Sequence, residues 1–376
     1  FDITVFEPTK PAAICKIWAT LAKQAFLAGY QYITLWGDDV SVEPKNWFDQ
    51  VFEALPPNTL GCVAPWDVMD PSVPTFPIVT RKHFEVFDEL FDPGFVNQDA
   101  DPYLFELYRR IGTARILPSV KLSNRCGGME LNYRADETAW ISTAPRYDRH
   151  SLPRWKSEIL APNVEKLQAF TGLHDEITID VVVPSFRTPI DLLRRMVNVR
   201  VPERCSARFI IIVDDPKADN LQDIIQLRSG NVRVRVNDTN VGASQSRNNG
   251  LNETTAEWVL FLDDDVEITD DCLVQYCNAI RERGDNHCGF VGTTVLPRVS
   301  GIWHEATRMS YITFFYNLPS WFGEQVPWGV TANILVRRND AIRFDVDYAK
   351  TGGGEDVDYC IQLRDASGLP FGRSTG

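Results

Sequence analysis

The sequence has eight cysteines but no C-x-x-C pair. That absence excludes the usual zinc ribbon and the dithiol redox motif. Cys272, Cys277, His287 and Cys288 stand close together, yet the spacing around Cys272 and Cys277 reads as helix, where a free cysteine acts as a small apolar residue. Sparse cysteine fits a reducing compartment. No apolar run approaches the roughly 20 residues of a membrane-spanning helix. A signal peptide and an initiator methionine are both lacking, and the chain opens in the strand-like Asp2-Ile-Thr-Val-Phe6. It reads as a piece of a longer protein. Basic side chains are the minority, 38 against 51 acidic ones, for a net charge of −13. A protein that coats DNA or RNA needs a basic footprint, so that class is excluded, while one nucleotide in a local pocket is not. No short-period repeat is visible.

What is present suffices for two cores. The chain has 376 residues, 44% of them hydrophobic. Two halves are expected, residues 1–149 and 176–376. They are joined by a Pro-containing linker, 150–175, with one short amphipathic helix (Val164–Phe170). In the second half, β-branched runs alternate with helical spacing. Ile177–Pro184, Arg208–Val213, Val232–Val236 and Trp258–Leu262 read as buried strands. Helices are expected over Ile190–Val201, over Leu221–Leu227 and from Ser244. This is the pattern of a parallel α/β sheet.

Ligands bind such sheets at the carboxyl ends of the strands. Asp214-Asp215 and Asp263-Asp264-Asp265 stand at those ends. Crowded carboxylates repel, and hard divalent cations prefer carboxylate oxygens, so the triplet suits a metal shared with a phosphate. The bland alternative is an Asp-rich turn that caps a strand. Upstream lies Asn240-Val-Gly-Ala-Ser-Gln-Ser-Arg-Asn-Asn-Gly250, whose Arg247 has the reach of a phosphate or carboxylate partner. Downstream, Gly352-Gly-Gly-Glu-Asp356 opens a helix expected over Asp356–Arg364. A carboxylate there is favoured in its ionised form by the helix N-terminus, which suits a general base.

Taken in order, Val-Val-Val-Pro-Ser-Phe, Val-Asp-Asp, Val-Gly-Ala-Ser-X-X-Arg-Asn-X-Gly, Phe-Leu-Asp-Asp-Asp, Thr-Ala-Asn-Ile-Leu-Val-Arg-Arg and Gly-Gly-Glu-Asp-Val-Asp-Tyr resemble the inverting nucleotide-sugar glycosyltransferases of family 2, which have the GT-A fold. The resemblance covers about residues 177–376. It implies that Pro184, Ser185 and Arg187 line the base and ribose side of the donor. Asp214 then accepts a hydrogen bond from the nucleobase, with Asp215 beside it, and Arg247 lies near the base or diphosphate. Asp263 and Asp265 become the outer members of an Asp-X-Asp motif that binds ribose and metal, with Asp264 between them. Asp356, with Glu355 beside it, becomes the catalytic base. Two departures stand out: Pro216-Lys-Ala-Asp219 replaces the usual Gly-Ser after the Asp pair, and no histidine follows the Glu-Asp helix as a further metal ligand. Trp328, just before Thr331-Ala-Asn333, is read as a sugar platform among Trp303, Tyr311, Phe314, Phe315, Tyr316 and Trp321.

The first half repeats this logic in part. A helical run, Lys16–Gly29, leads into Tyr30–Trp36 and then Asp38-Asp39. Asn97-Gln-Asp99-Ala-Asp101 follows later. The half resembles a divergent GT-A domain of multi-domain viral and protist glycosyltransferases. The resemblance implies a metal at Asp38 and Asp39 and a catalytic carboxylate at Asp99 or Asp101. The expected fold is thus α/β, two tandem GT-A-like domains with mostly parallel central sheets. The expected activity is a metal-dependent (Mn2+ or Mg2+) hexosyl or deoxyhexosyl transfer from a UDP-, GDP- or dTDP-sugar to a glycan hydroxyl, with one activity per half and a cytoplasmic setting. The rival readings are a first half that only binds or scaffolds glycan, and a nucleotidyltransferase, whose Gly-rich loop is missing where Pro184-Ser-Phe-Arg stands.

Overall fold

The computed structural model describes residues 14–37, 40–68, 74–95, 100–124, 155–173, 176–187, 189–295, 301–310, 313–348 and 353–374. The chain divides into two compact units, Phe1–Glu176 and Ile177–Gly376. No described helix is long and apolar enough to cross a membrane.

The first unit holds strands β1 (Tyr32–Thr34), β2 (Val40–Glu43), β3 (Cys62–Asp67), β4 (Ile78–Thr80) and β5 (Ala114–Asn124) in the order β1-β4-β3-β5-β2. Only β3 and β5 pair in parallel; β1 with β4, β3 with β4, and β2 with β5 are antiparallel. The expectation of a mostly parallel sheet fails here among the described residues. The connection from Asp67 to Ile78 is too short for a crossover, because parallel neighbours need a dozen or more linking residues. Helices 14–27 and 100–109 supply Cys15, Ala22, Tyr103, Leu104, Leu107 and Tyr108 to the core. The segment expected as a linker also belongs to this core. Its helix, Ala161–Thr171, buries Val164 and Leu167 beside Trp155 and Leu160. The apolar face that made it look amphipathic is therefore used, and the division falls at Glu176.

The second unit holds β6 (Ile177–Ser185), β7 (Cys205–Val213), β8 (Val232–Val236), β9 (Trp258–Leu262), β10 (Gly289–Val291), β11 (Gln325–Val326), β12 (Asn333–Arg337) and β13 (Phe371–Arg373). Their order is β11-β13-β10-β12-β9-β6-β7-β8. From β9 through β6 and β7 to β8 every pairing is parallel, joined by the helices 190–197, 221–225 and 243–253. On the other side of β9 the sheet is mixed. β12 runs antiparallel to β9 and to β10, β13 parallel to β10, and β11 antiparallel to β13. β6, β7 and β9 are rich in Val, Ile, Leu and Phe and are largely buried, as a covered parallel sheet requires.

Read from β9 outward, the mixed side is β9-β12-β10-β13-β11, and its four pairing directions are those of β1-β4-β3-β5-β2 in the first unit. Four of the five matched strands also come in the same chain order; β2 occupies the place of β11 but precedes β3.

Deep under the second sheet, Asp180 is fully buried. It accepts from Arg208 Nη2 at 2.9 Å and from the backbone N–H groups of Thr255 and Ala256 at 2.6 and 2.9 Å. A buried carboxylate is tolerable when so many donors replace water. This brace ties β6 to β7 and to the turn that leads into β9.

Candidate active site

The carboxyl ends of β7 and β9 and the start of helix 355–367 carry the acidic residues singled out by the sequence. Asp263, Asp264 and Asp265 follow β9 directly. Burial raises the Asp263 carboxyl above its ordinary range; the Arg247 guanidinium opposes this, and the charges of Asp265 and Asp356 add to it. Those charges reach Asp263 because the two motifs, far apart in sequence, face one another. Asp265 is exposed, whereas Asp263 and Asp356 are half-buried.

The Arg-Asn-Asn-Gly run on helix 243–253 welds this corner together. Arg247 is buried, and it donates from Nη2 to Asp263 Oδ1 at 2.9 Å and from Nη1 to Glu355 Oε1 at 3.3 Å. It therefore links the Asp triplet to the Glu-Asp helix, a more specific place than the base-or-diphosphate side expected. Asn248 exchanges two hydrogen bonds with the backbone of Phe344, at 2.8 and 2.9 Å. Asn249 donates to Asn237 at 2.8 Å. Gly250 packs on β6 so closely that a Cβ there would collide with Val182. Each residue type in the run thus has a steric or hydrogen-bonding reason.

Asp214 departs from the expectation. It is buried, and its oxygens accept from Asn237 Nδ2 and Val241 N at 2.9 Å and from Gly242 N at 2.8 Å. The carboxylate braces the loop 237–242 and does not stand open to a nucleobase. Asp215, its neighbour, lies at the surface of the crevice. The Lys217 N–H, followed by Arg187, holds its carboxyl below the ordinary range. Arg187 donates to it from Nε at 3.1 Å, is exposed, and lies over the ring of Phe186. Asn237 heads a glycosylation sequon, but its burial against Asp214 and Ser246 leaves no room for a glycan.

Asp264 points back to β6. It accepts from Phe186 N at 2.8 Å, and burial pushes its carboxyl up to about 6 against the pull of that N–H. It sets the turn after Pro184 and buried Ser185. Asp356 Oδ2 accepts from Thr331 N at 3.1 Å and from Thr331 Oγ1 at 3.4 Å. Gly353 and Gly354 both have positive φ, which lets the chain turn into the helix just before Glu355. Trp328 is half-buried and packs against the core that contains Val326 and Ile334, while Trp303 and Trp321 are exposed. Sequence reasoning gave Tyr316 no special place. Its phenol is raised by burial and then by the charges of Asp263, Asp265 and Asp356, so it faces the same three carboxylates.

Among the described residues no three His, Cys, Asp or Glu side chains come together as a self-sufficient metal cage. The donor set fits a cation of another kind. Asp265 is open, Asp263 keeps one oxygen clear of Arg247, and the mutual repulsion of the carboxylates favours positive charge. Magnesium-like ions commonly use one or two carboxylates and take their other oxygens from phosphate and water.

In the first unit, Asp38, Asp39 and Asp99 lie outside the described residues. Asp101, on helix 100–109, accepts from Phe76 N at 3.4 Å, and burial raises its carboxyl to about 7.

Residues 180–345 match the family model described as Glycosyl transferase family 2. The chain is 28% identical over 204 residues to the succinoglycan biosynthesis protein ExoM of Rhizobium meliloti (strain 1021), covering 52% of this chain and 64% of that protein. It is 34% identical over 88 residues to an uncharacterized glycosyltransferase of Haemophilus influenzae, covering 23% of this chain and 29% of the other. The chain thus spans under two thirds of either relative. Among solved structures, S. aureus TarS 1–349 is similar at 19% identity and a TM-score of 0.36, over 50% of this chain and 55% of that one. The mannosyltransferase PcManGT of Pyrobaculum calidifontis, solved with GDP-Man and Mn2+, is similar at 15% identity and a TM-score of 0.38, over 52% and 54%. At such scores the relationship rests on the sequence match, which puts a family 2-like glycosyltransferase domain in the second unit.

Proposed function

We propose that the second unit transfers a sugar from a nucleotide diphosphate donor to a hydroxyl of a glycan, with inversion at the anomeric carbon. The observation that carries this reading is the Arg247 bridge from Asp263, at the carboxyl end of β9, to Glu355, the neighbour of Asp356, within a domain that matches family 2. Asp215, just past the end of β7, and the exposed Arg187, just past the end of β6, take the nucleoside side of the donor. Asp263 and Asp265 hold Mn2+ or Mg2+, which when bound supplies Lewis-acid stabilisation to the departing diphosphate. Arg247 keeps Asp263 and Glu355 in register, so the distance between diphosphate and acceptor is set by protein and not by substrate. Asp356 is fixed through Thr331 and takes the proton of the attacking hydroxyl. A single displacement with a single base inverts the centre.

The same reading extends to one activity per unit, because the first sheet repeats the strand order and pairing directions on the side of β9 that brings Asp356 to the site. The donor base, UDP, GDP or dTDP, is read by release of nucleoside diphosphate from each sugar nucleotide in the presence of manganese or magnesium. The proposal requires that Asp265→Ala abolish most of that release. Full activity in this variant would overturn the metal assignment.

A further inference from the structure

We propose that Cys205 and Cys277 are a peroxide-sensing pair, in which hydrogen peroxide oxidises Cys205 and Cys277 resolves it to a disulfide. The two are 72 positions apart, and Cys277 taken alone on its helix reads as a small apolar residue. The fold brings them together. Cys205 is the first residue of β7, at the opposite end of that strand from Asp214 and Asp215. Cys277 lies on the helix Cys272–Arg283, and both pack into one apolar core under the sheet. Both are reduced thiols, and Cys205 Sγ donates to Cys277 Sγ at 2.7 Å.

Core packing accounts for a buried sulfur but not for the surroundings of Cys205. Cys205 is half-buried and Cys277 is buried, so peroxide from solvent reaches the first sulfur and not the second. Arg281, one turn after Cys277, donates from Nη2 to the Glu203 carbonyl at 2.8 Å and to Cys205 Sγ at 3.4 Å. The carbonyl holds the guanidinium against the sulfur, where a positive charge favours the thiolate. Arg204, just before Cys205, has a φ of +57°, a left-handed conformation that an arginine rarely adopts, and its carbonyl accepts from Ile177 N at 3.2 Å. The chain enters β7 through that turn. The bond from Cys205, followed by burial, pushes the Cys277 thiol well up, so Cys277 keeps its proton when Cys205 ionises. Cys272 is the contrast. Among the described cysteines it is the other one that is not buried, but burial and the charge of Asp271 push its thiol up to about 12.

In the first step the Cys205 thiolate attacks one oxygen of hydrogen peroxide. The S–O bond forms, the O–O bond breaks and hydroxide leaves, so the sulfur is oxidised to a sulfenic acid as the peroxide is reduced. In the second step the Cys277 sulfur attacks the Cys205 sulfur. The S–S bond forms, the S–O bond breaks, and the departing hydroxide takes the Cys277 proton as water. Two thiols and one peroxide become one disulfide and two waters, and a dithiol reductant restores both thiols. In a reducing compartment such a bond is transient and serves sensing. While it lasts, it staples helix Cys272–Arg283 to β7.

The test treats the full chain with hydrogen peroxide, blocks the remaining thiols with N-ethylmaleimide, and maps the peptides by mass spectrometry with fragmentation that separates Cys272 from Cys277. The expected result is a Cys205–Cys277 cross-link, lighter by two hydrogens, that dithiothreitol removes. Cys277→Ser should leave Cys205 as a sulfenic acid that dimedone captures, and Cys272→Ser should leave the cross-link intact. The bonded form should melt several degrees above the reduced one, because the bond closes a long loop of the unfolded chain. Arg281→Gln should slow the loss of the Cys205 thiol, by roughly threefold for each unit that its pKa rises. A wild-type chain that keeps both thiols while free cysteine in the same solution is consumed overturns the proposal. A cross-link that maps to Cys272 overturns the assignment of Cys277. Oxidation at an unchanged rate in Arg281→Gln removes Arg281 from the site, and a bonded form that melts below the reduced one overturns the staple.

Discussion

The two sheets differ most in what lies beside the matched strands β9 and β1. In the second unit β9 is flanked by β6 on one side and by β12 on the other. The β6 side is parallel, helix-connected and ends in Asp214, Asp215 and the loop 237–242. The β12 side is mixed and brings Asp356. In the first unit β1 has only β4 as a neighbour among the described residues. On the proposed reading, the sheet is made of two pieces, one that takes the nucleotide side of the donor and one that carries the carboxylate meeting the acceptor. β9 is the seam, so residues at its tip are shared by both pieces. Arg247 is the tie across the seam, since it touches the tip of β9 and the helix of Asp356 at once.

The largest effect expected on this comparison is catalytic. Asp356→Asn should reduce the second unit's transfer by about 10²–10⁴-fold, the usual worth of a positioned base, with donor binding kept. Turnover against donor affinity separates the two. Weakened donor binding with turnover intact would move Asp356 to the nucleotide side and break the division into two pieces.

The next effect is on folding. Asp180→Ala strands the Arg208 guanidinium and the two amides at Thr255 and Ala256, and removing one partner of a buried ion pair costs about 3–5 kcal/mol. Chemical denaturation should show this loss in the second unit only. Gly250→Ala should cost about 1–3 kcal/mol by overpacking against Val182, again in the second unit only. A neutral result would mean that helix 243–253 can lift from β6 without strain.

The smallest effect is a cancellation in the first unit. His83 is buried between Tyr108 and the Glu89 carbonyl, and burial pushes its imidazole from 6.5 down to about 4. The unfolded chain therefore binds a proton that the folded one releases, and stability rises as pH climbs from 4 to 6.5. Asp101 is shifted the other way, from 3.8 to about 7, so the folded chain keeps its proton longer and stability falls over nearly the same range. The two slopes offset. Asp101→Asn should unmask the His83 slope, seen as a melting temperature of the first unit that rises between pH 4 and 6.5. A flat profile in that variant would mean that His83 carries no slope to unmask, and a wild-type melting temperature that already rises over this range would place Asp101 in water.

The second unit was legible where the physics is local. β8 and β9 fall on Val232–Val236 and Trp258–Leu262 as expected, β8 because Val alternates with Arg at the period of a strand and β9 because an apolar run buried on both faces has few alternatives. The acidic strand ends could be read for the same reason. What could not be read is set by distant partners. Asp214 looks like Asp215 in sequence and becomes a loop brace only because Asn237, Val241 and Gly242 arrive around it. Tyr316 sits in an irregular aromatic stretch with no period to mark it. In the first unit only β1 fell within an expected strand, and pairing direction depends on the connection rather than on strand composition. The antiparallel β3–β4 pair was therefore invisible.

Strand β13 is the last of its sheet in the chain, yet it lies between β10 and β11 and not at an edge. A chain still emerging from the ribosome can therefore form the parallel side and display the aspartates of β9 while a gap stands open in the other side. Filling that gap with residues 371–373 is what seats helix 355–367, and with it Glu355 and Asp356. Such long-range pairing is slow and comes late. On the proposed reading, Asp356 joins the aspartates of β9 only once β13 has paired with β10 and β11.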